Sequence, residues 1–210
     1  MAKRAATLPP HLITRKPASI WRVHAMKHRA AEFHPGGNGD ARFSPIYDPK
    51  GKPIPTLYGA NTLEGALMEA VFHEVPTPPG YYVLNIEKLV SRQLVVSRIR
   101  PRKSLKLVDL STKGLKRLGL TRADLIDTSV KFYPKTRKRA EEFHAKTKAH
   151  GLAWTSKQDD EAAAVVLFGD RIAENAFNVE LDREPLWEGV RLDAVIALAE
   201  RIGIEEVYGL

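Results

Sequence analysis

Apolar residues recur along this chain at two different periods, and each change of period marks an element. Ala18-Ser19-Ile20-Trp21-Arg22-Val23-His24 is rich in β-branched and aromatic residues and reads as a first strand, with Arg22 placed on it. Leu57 and Tyr58 read as the end of another strand. Leu63, Ala66, Leu67, Ala70 and Val71 then return at helical spacing, which predicts a helix of about three turns. Asn61 is the predicted N-cap, with Glu64 three positions on to complete a capping box. Glu69 lies off the apolar stripe. Its side chain leans toward the helix N-terminus, over Gly65 and Ala66, which leave room for another group to approach.

Further strands are predicted at residues 81–86, 93–97, 105–110, 152–155 and 164–168. Helices are predicted at about 121–127, from Tyr133-Pro134 to a C-terminal cap at Gly151, and over 186–202, where a helix closes the fold. Residues 34–40 and 48–53 are turn-rich by composition. Residues 1–17, with two consecutive prolines, are expected to form a loose arm, and residues 18–210 a single domain. Strand runs interrupted by helices, without regular βαβ alternation, place the chain in the α+β class.

Composition narrows the function. A length of 210 residues suits one well-cored domain, and 43% hydrophobic with 28% charged residues describes an ordinary soluble protein. No apolar run approaches the ~18 residues of a membrane span. The first residues lack the apolar core and cleavage site of a secretory signal. The absence of cysteine excludes disulfides, thiolate metal sites and a cysteine nucleophile, and fits a cytoplasmic location. Glu69 and His73 have a spacing that can chelate, but two ligands without a His-Glu-x-x-His pattern are too few, so no metal is expected.

A net charge of +8 raises nucleic-acid binding as a rival function, that of a non-enzymatic basic module. The excess is concentrated at 98–103 and 131–148. Glu141 and Glu142 partly balance the second run, and no zinc-finger, RNA-binding or basic-zipper signature accompanies either. Direct nucleic-acid binding is therefore the weaker reading. A basic surface equally suits an acidic protein partner or a phosphate-bearing substrate.

Five polar residues at predicted strand ends and loop edges make a kit for a ligand with a sugar and a pyrophosphate: Arg22, Arg42, Tyr58, Glu69 and Ser156. Arginine offers paired planar donors to phosphate oxygens. A tyrosine ring can stack on a heterocycle or face a cationic one. A carboxylate can bind a ribose hydroxyl and stabilise positive charge as a glycosidic bond breaks.

Ile20-Trp21-Arg22-Val23, Gly39-Asp40-Ala41-Arg42-Phe43-Ser44, Leu57-Tyr58-Gly59-Ala60 with Ala66-Leu67-Met68-Glu69, Gly151-Leu152-Ala153-Trp154-Thr155-Ser156 and Val165-Val166-Leu167-Phe168 together resemble the RES domain family. The resemblance runs from about residue 20 to 168. It implies an ADP-ribosyltransferase-like mixed sheet core surrounded by helices. It also implies a toxin of a bacterial type II toxin–antitoxin system that cleaves the nicotinamide–ribose bond of NAD⁺ by phosphorolysis or hydrolysis, or transfers ADP-ribose to a protein. NAD⁺ would be substrate rather than cofactor, with inorganic phosphate as co-substrate of the phosphorolytic route. The partner would be an Xre-type helix-turn-helix antitoxin that covers the active site. By the same resemblance Glu69, Arg22 and Tyr58 are catalytic, and Arg42, Ser156 and Trp154 bind substrate. Lys157-Gln158-Asp159-Asp160 stands where the family often has an arginine and glycines, which leaves the acceptor open among phosphate, water and protein.

Overall fold

The structure is a computed structural model, and it describes residues 8–16, 18–76 and 78–209. In chain order the elements are β1 (Leu12–Arg15), β2 (Ile20–Ala25), β3 (Thr56–Ala60), α1 (Leu63–Ala70), β4 (Val83–Asn85), α2 (Ile86–Ser91), β5 (Leu94–Pro101), β6 (Leu105–Asp109), α3 (Thr112–Arg117), α4 (Arg122–Leu125), α5 (Tyr133–Lys146), β7 (Gly151–Thr155), β8 (Ala163–Phe168), β9 (Phe177–Pro185), α6 (Gly189–Arg201) and β10 (Glu206–Tyr208). Of two 3-10 turns, Val130–Phe132 leads directly into α5 and Glu174–Ala176 precedes β9. The α+β expectation holds.

Eight strands form one mixed sheet in the order β1-β6-β7-β8-β3-β2-β5-β9, and β4 and β10 form a small parallel pair. Within the large sheet β6 and β7 run parallel, whereas the other pairs are antiparallel. A parallel pair needs a long crossover, and residues 110–150 supply it with α3, α4 and α5.

Alternation along the strands sorts the core. Leu152 and Trp154 of β7, with Ala164, Val166 and Phe168 of β8, pack under the crossover against Leu115, Leu125, Ala140 and Phe143. Val96 packs with Leu67, Leu84, Leu89, Val195 and Leu198 from α1, β4, α2 and α6. Ile20, Leu57, Ile99, Leu107, Ala153 and Leu167 form a third cluster with Phe33 and Phe177.

Several boundaries differ from the sequence expectation. Part of the expected loose arm is β1, an edge strand whose Leu12 and Ile13 pair with Val108 and Leu107 of β6; residues 1–7 and Pro17 lie outside the described residues. Helix α1 is eight residues long, about two turns, and its N-cap is Thr62, whose hydroxyl accepts from the Gly65 amide at 3.0 Å. Asn61 is still bound to the strand ladder: its amide donates to the Ala163 carbonyl, and its Oδ1 accepts from the Ala163 amide. Glu64 turns outward to Arg201 instead of closing a capping box.

Helix α5 ends at Lys146, where Thr147 caps it with its amide and hydroxyl both on the Phe143 carbonyl. Gly151 instead begins β7, where a Cβ would stand 2.1 Å from the Val166 carbonyl oxygen. Helices α2 and α3 and strands β9 and β10 lie outside the sequence expectation, and the closing helix starts at Gly189 rather than residue 186.

Candidate active site

Strands β2, β3, β7 and β8 contribute to the floor of a cleft of about 710 Å³, with α1 on one side and residues 128–133 on another. Of the six residues selected from sequence, Arg22, Arg42, Tyr58, Glu69 and Trp154 line it. Ser156 does not line it, but it is bound to a residue that does. Its hydroxyl donates to Glu69 Oε1 at 2.6 Å, and the residue is 0% exposed.

The Ser156 oxygen also accepts from the amides of Gln158 and Asp159, at 2.9 and 3.2 Å. With two acceptor sites filled and its proton given to Glu69, the hydroxyl has no capacity left for a ligand. Its place is behind the carboxylate, fixing the rotamer of Glu69. The following turn is latched to the far end of α1 by Gln158, whose Nε2 donates to the His73 carbonyl at 3.1 Å.

Tyr58 is held from the 40–44 loop, where the Phe43 amide donates to its hydroxyl at 3.0 Å. Burial pushes its phenol up to about 12, so it stays neutral at physiological pH and keeps a proton to donate. The Trp154 ring stands edge-on to both Tyr58 and Phe43, with centroids 6.5 and 5.1 Å away. Its indole N–H is buried without a partner.

Arg22 is 8% exposed, and its Nη1 donates to the carbonyls of Ala30 and Glu32 at 2.7 and 2.9 Å. Burial lowers its pKa to about 10, the carboxylates of Glu32 and Glu174 opposing the shift, so it remains a cation at neutral pH. It lines the cleft where β2 and β3 are paired at Trp21 and Ala60, and it also ties down the loop between those strands. Arg42 lies over the Tyr133 ring, 5.7 Å from the centroid, with its Nε buried and unpartnered.

Sequence reasoning missed the wall formed by residues 128–133. Thr128, Ser129, Val130 and Tyr133 line the cleft, and no motif marks them. They are fixed at both ends. Arg122 pairs with Asp127 while donating to the carbonyls of Thr155 and Ser156. On the other side, Thr136 and Arg137 of α5 donate to the Arg42 and Ala41 carbonyls, and Arg137 also pairs with Asp40. Part of the basic excess is thereby engaged within the fold, since Arg98 and Arg100 pair with Glu180 and Arg139 with Glu142. Among the described residues no group of three or more His, Asp or Glu side chains could hold a metal ion, and no helix is long and apolar enough to cross a membrane.

This fold is shared with a toxin–antitoxin complex of M. tuberculosis, MbcT–MbcA. The alignment has a TM-score of 0.53 and 17% identity, and covers 85% of this chain and 92% of the other. The sequence matches the RES domain over residues 19–187, and the chain belongs to that family. No curated protein matches it.

Proposed function

We propose that the chain is a toxin of a bacterial toxin–antitoxin pair that consumes NAD⁺ by breaking its nicotinamide–ribose bond. Membership of the RES family and the fold shared with a structure titled as a toxin–antitoxin complex support the toxin half of this reading. The observation that carries the chemistry is the Ser156–Glu69 hydrogen bond, set in a cleft that also holds Tyr58, Trp154 and two arginines.

Nicotinamide leaves NAD⁺ as a neutral molecule from a cationic state, so no general acid is needed. The barrier lies in the positive charge that grows on the ribose. Glu69 opposes that charge with one carboxylate oxygen immobilised by Ser156 and the other free for a ribose hydroxyl. Tyr58 and Trp154 supply flat apolar surface for the nicotinamide and a phenolic proton for an acceptor on it. Arg42 takes phosphate oxygens, and Arg22 acts as a fixed cation beneath the cleft while it holds the 30–32 backbone. Phosphate or water completes the reaction from the open side, and transfer of ADP-ribose to a protein is the alternative fate of the same intermediate. An Xre-type antitoxin seated over the cleft would block all three outcomes.

The test is incubation of the purified protein with NAD⁺, with and without inorganic phosphate, and identification of the products. Glu69→Ala is expected to fold normally and to release nicotinamide about a hundredfold or more slowly. Equal rates in the two proteins remove Glu69 from the mechanism, and no nicotinamide release by wild type removes the enzymatic reading.

A further inference from the structure

We infer that the amino-terminal end of α5, with Thr128 and Ser129 leading into it, is a phosphate-binding subsite that faces the cleft together with Arg42. Three features of the same cleft support it.

The first is an unpartnered polar group. Thr128 is only 6% exposed and lines the cleft, yet its Oγ1 is buried with no hydrogen-bond partner. Buried hydroxyls are nearly always satisfied, and a neighbouring valine would fill the same space without that cost. An absent acceptor explains the choice of threonine.

The second is the helix itself. Helix α5 runs for 14 residues, and the 3-10 turn of Val130–Phe132 feeds into it without a break. Neither the turn nor the helix has a side-chain cap: Ser129 and Phe132 occupy the N-cap positions and make no capping bond. The amides of Phe132 and Tyr133 are spent on the Ser129 and Val130 carbonyls, and Pro134 has none, so what the helix end offers an anion is the positive end of its dipole. The acidic residues that commonly cap such ends are missing from the first turn, which reads Tyr133-Pro134-Lys135.

The third is Arg42. Its guanidinium lies over Tyr133, in the first turn of α5, and its Nε is another buried donor without an acceptor. The Thr136 hydroxyl binds the Arg42 carbonyl, so the arginine and the helix end move as one body. The result is a set of donors that lack an acceptor, held rigidly by Arg122 on one flank and Arg137 on the other. A phosphate group, rich in acceptors and negatively charged, is the chemistry that satisfies them.

The phosphate has two candidate sources, the diphosphate of a dinucleotide or free inorganic phosphate arriving as acceptor. The naming of either source rests on the proposed reading of the cleft. The subsite itself does not.

Binding of ADP-ribose, nicotinamide riboside and inorganic phosphate is to be measured by calorimetry on wild type, Thr128→Val, Thr128→Ser and Ser129→Ala, with thermal melting as the check on folding. Thr128→Val is expected to weaken ADP-ribose about tenfold and leave nicotinamide riboside, which has no phosphate, unchanged. Thr128→Ser is expected to restore binding, and Ser129→Ala, at an exposed position, to act in the same direction as Thr128→Val. Loss of inorganic phosphate affinity alone assigns the subsite to the free acceptor. If Thr128→Val and Ser129→Ala bind ADP-ribose and inorganic phosphate as wild type does, or lose ADP-ribose and nicotinamide riboside equally, the subsite is wrong. If wild type takes phosphate through Thr128 but binds neither ADP-ribose nor nicotinamide riboside, the subsite stands and the dinucleotide reading falls.

Discussion

Ser156 shows how much a single hydroxyl can organise. Resemblance to the RES family assigned it to the substrate, whereas its bonds run to Glu69 and to two amides of its own turn. A residue in that position acts through the carboxylate it holds. Ser156→Ala is expected to lower kcat about tenfold while moving KM for NAD⁺ little. A serine bound to substrate would instead raise KM. The same change takes the acceptor from the Gln158 and Asp159 amides in a part-buried turn, which costs about 1 kcal/mol of stability. Steady-state kinetics and urea denaturation read the two effects separately. Tyr58, Glu69, Arg42 and Trp154, which line one cleft, were picked out by the order of the matching segments taken together, not by residue type. Thr128 was not, because an unpaired hydroxyl has no signature until its neighbours are known.

At the scale of elements, the contrast between α1 and β9 is instructive. Helix α1 follows its period, but its start lies one residue later than expected, since Asn61 is by type the better cap and Thr62 takes the role. The ladder bond from Asn61 to Ala163 decides between them, and that pairing is between residues far apart in sequence. Strand β9 was missed altogether. It is an edge strand whose first six residues do alternate, but its polar positions are Asn, Glu and Asp, poor strand formers, and Arg183-Glu184-Pro185 breaks the pattern. Its pairing with β5 is interrupted by register shifts.

Gly65 carries the prediction for this scale. In an exposed helix, glycine to alanine stabilises by roughly 1 kcal/mol. Here a Cβ would stand 2.5 Å from the Ala162 Cβ, at the base of the turn that presents Ser156 to Glu69. Gly65→Ala is therefore expected to reverse the usual sign, destabilising the fold by about 1–3 kcal/mol and lowering turnover. Thermal melting above that of wild type would show that the turn relaxes freely.

For the whole molecule, acid sensitivity should trace to one buried histidine. His24 Nε2 lies 2.9 Å from the Ser97 hydroxyl, which also accepts from the Arg183 amide. Burial, and then the nearby Arg22 charge, lowers its pKa from 6.5 to about 4. The folded state therefore excludes a proton that the unfolded chain accepts below 6.5. The stabilisation is complete above pH 6.5 and is lost as pH falls through about 4, a difference on the order of 3 kcal/mol. Urea midpoints between pH 7 and 4 should fall more steeply for wild type than for His24→Gln. Parallel slopes would place the acid lability elsewhere.

The lone parallel pairing in the sheet has a consequence for how such an enzyme can change. Because β6 and β7 point the same way, the backbone must leave the sheet at residue 110 and return at 150, and that excursion carries the cleft wall of residues 128–133, where the phosphate subsite is proposed. The carboxylate and the tyrosine belong to α1 and β3, outside the excursion. Substitutions in the detour can thus redirect which acceptor or ligand is welcomed, while the bond-breaking apparatus stays as it is. On the proposed reading, Thr128 and Ser129 are thus inherited on a different stretch of the gene from Tyr58 and Glu69, and Arg42 is the part of the subsite that stays outside the detour.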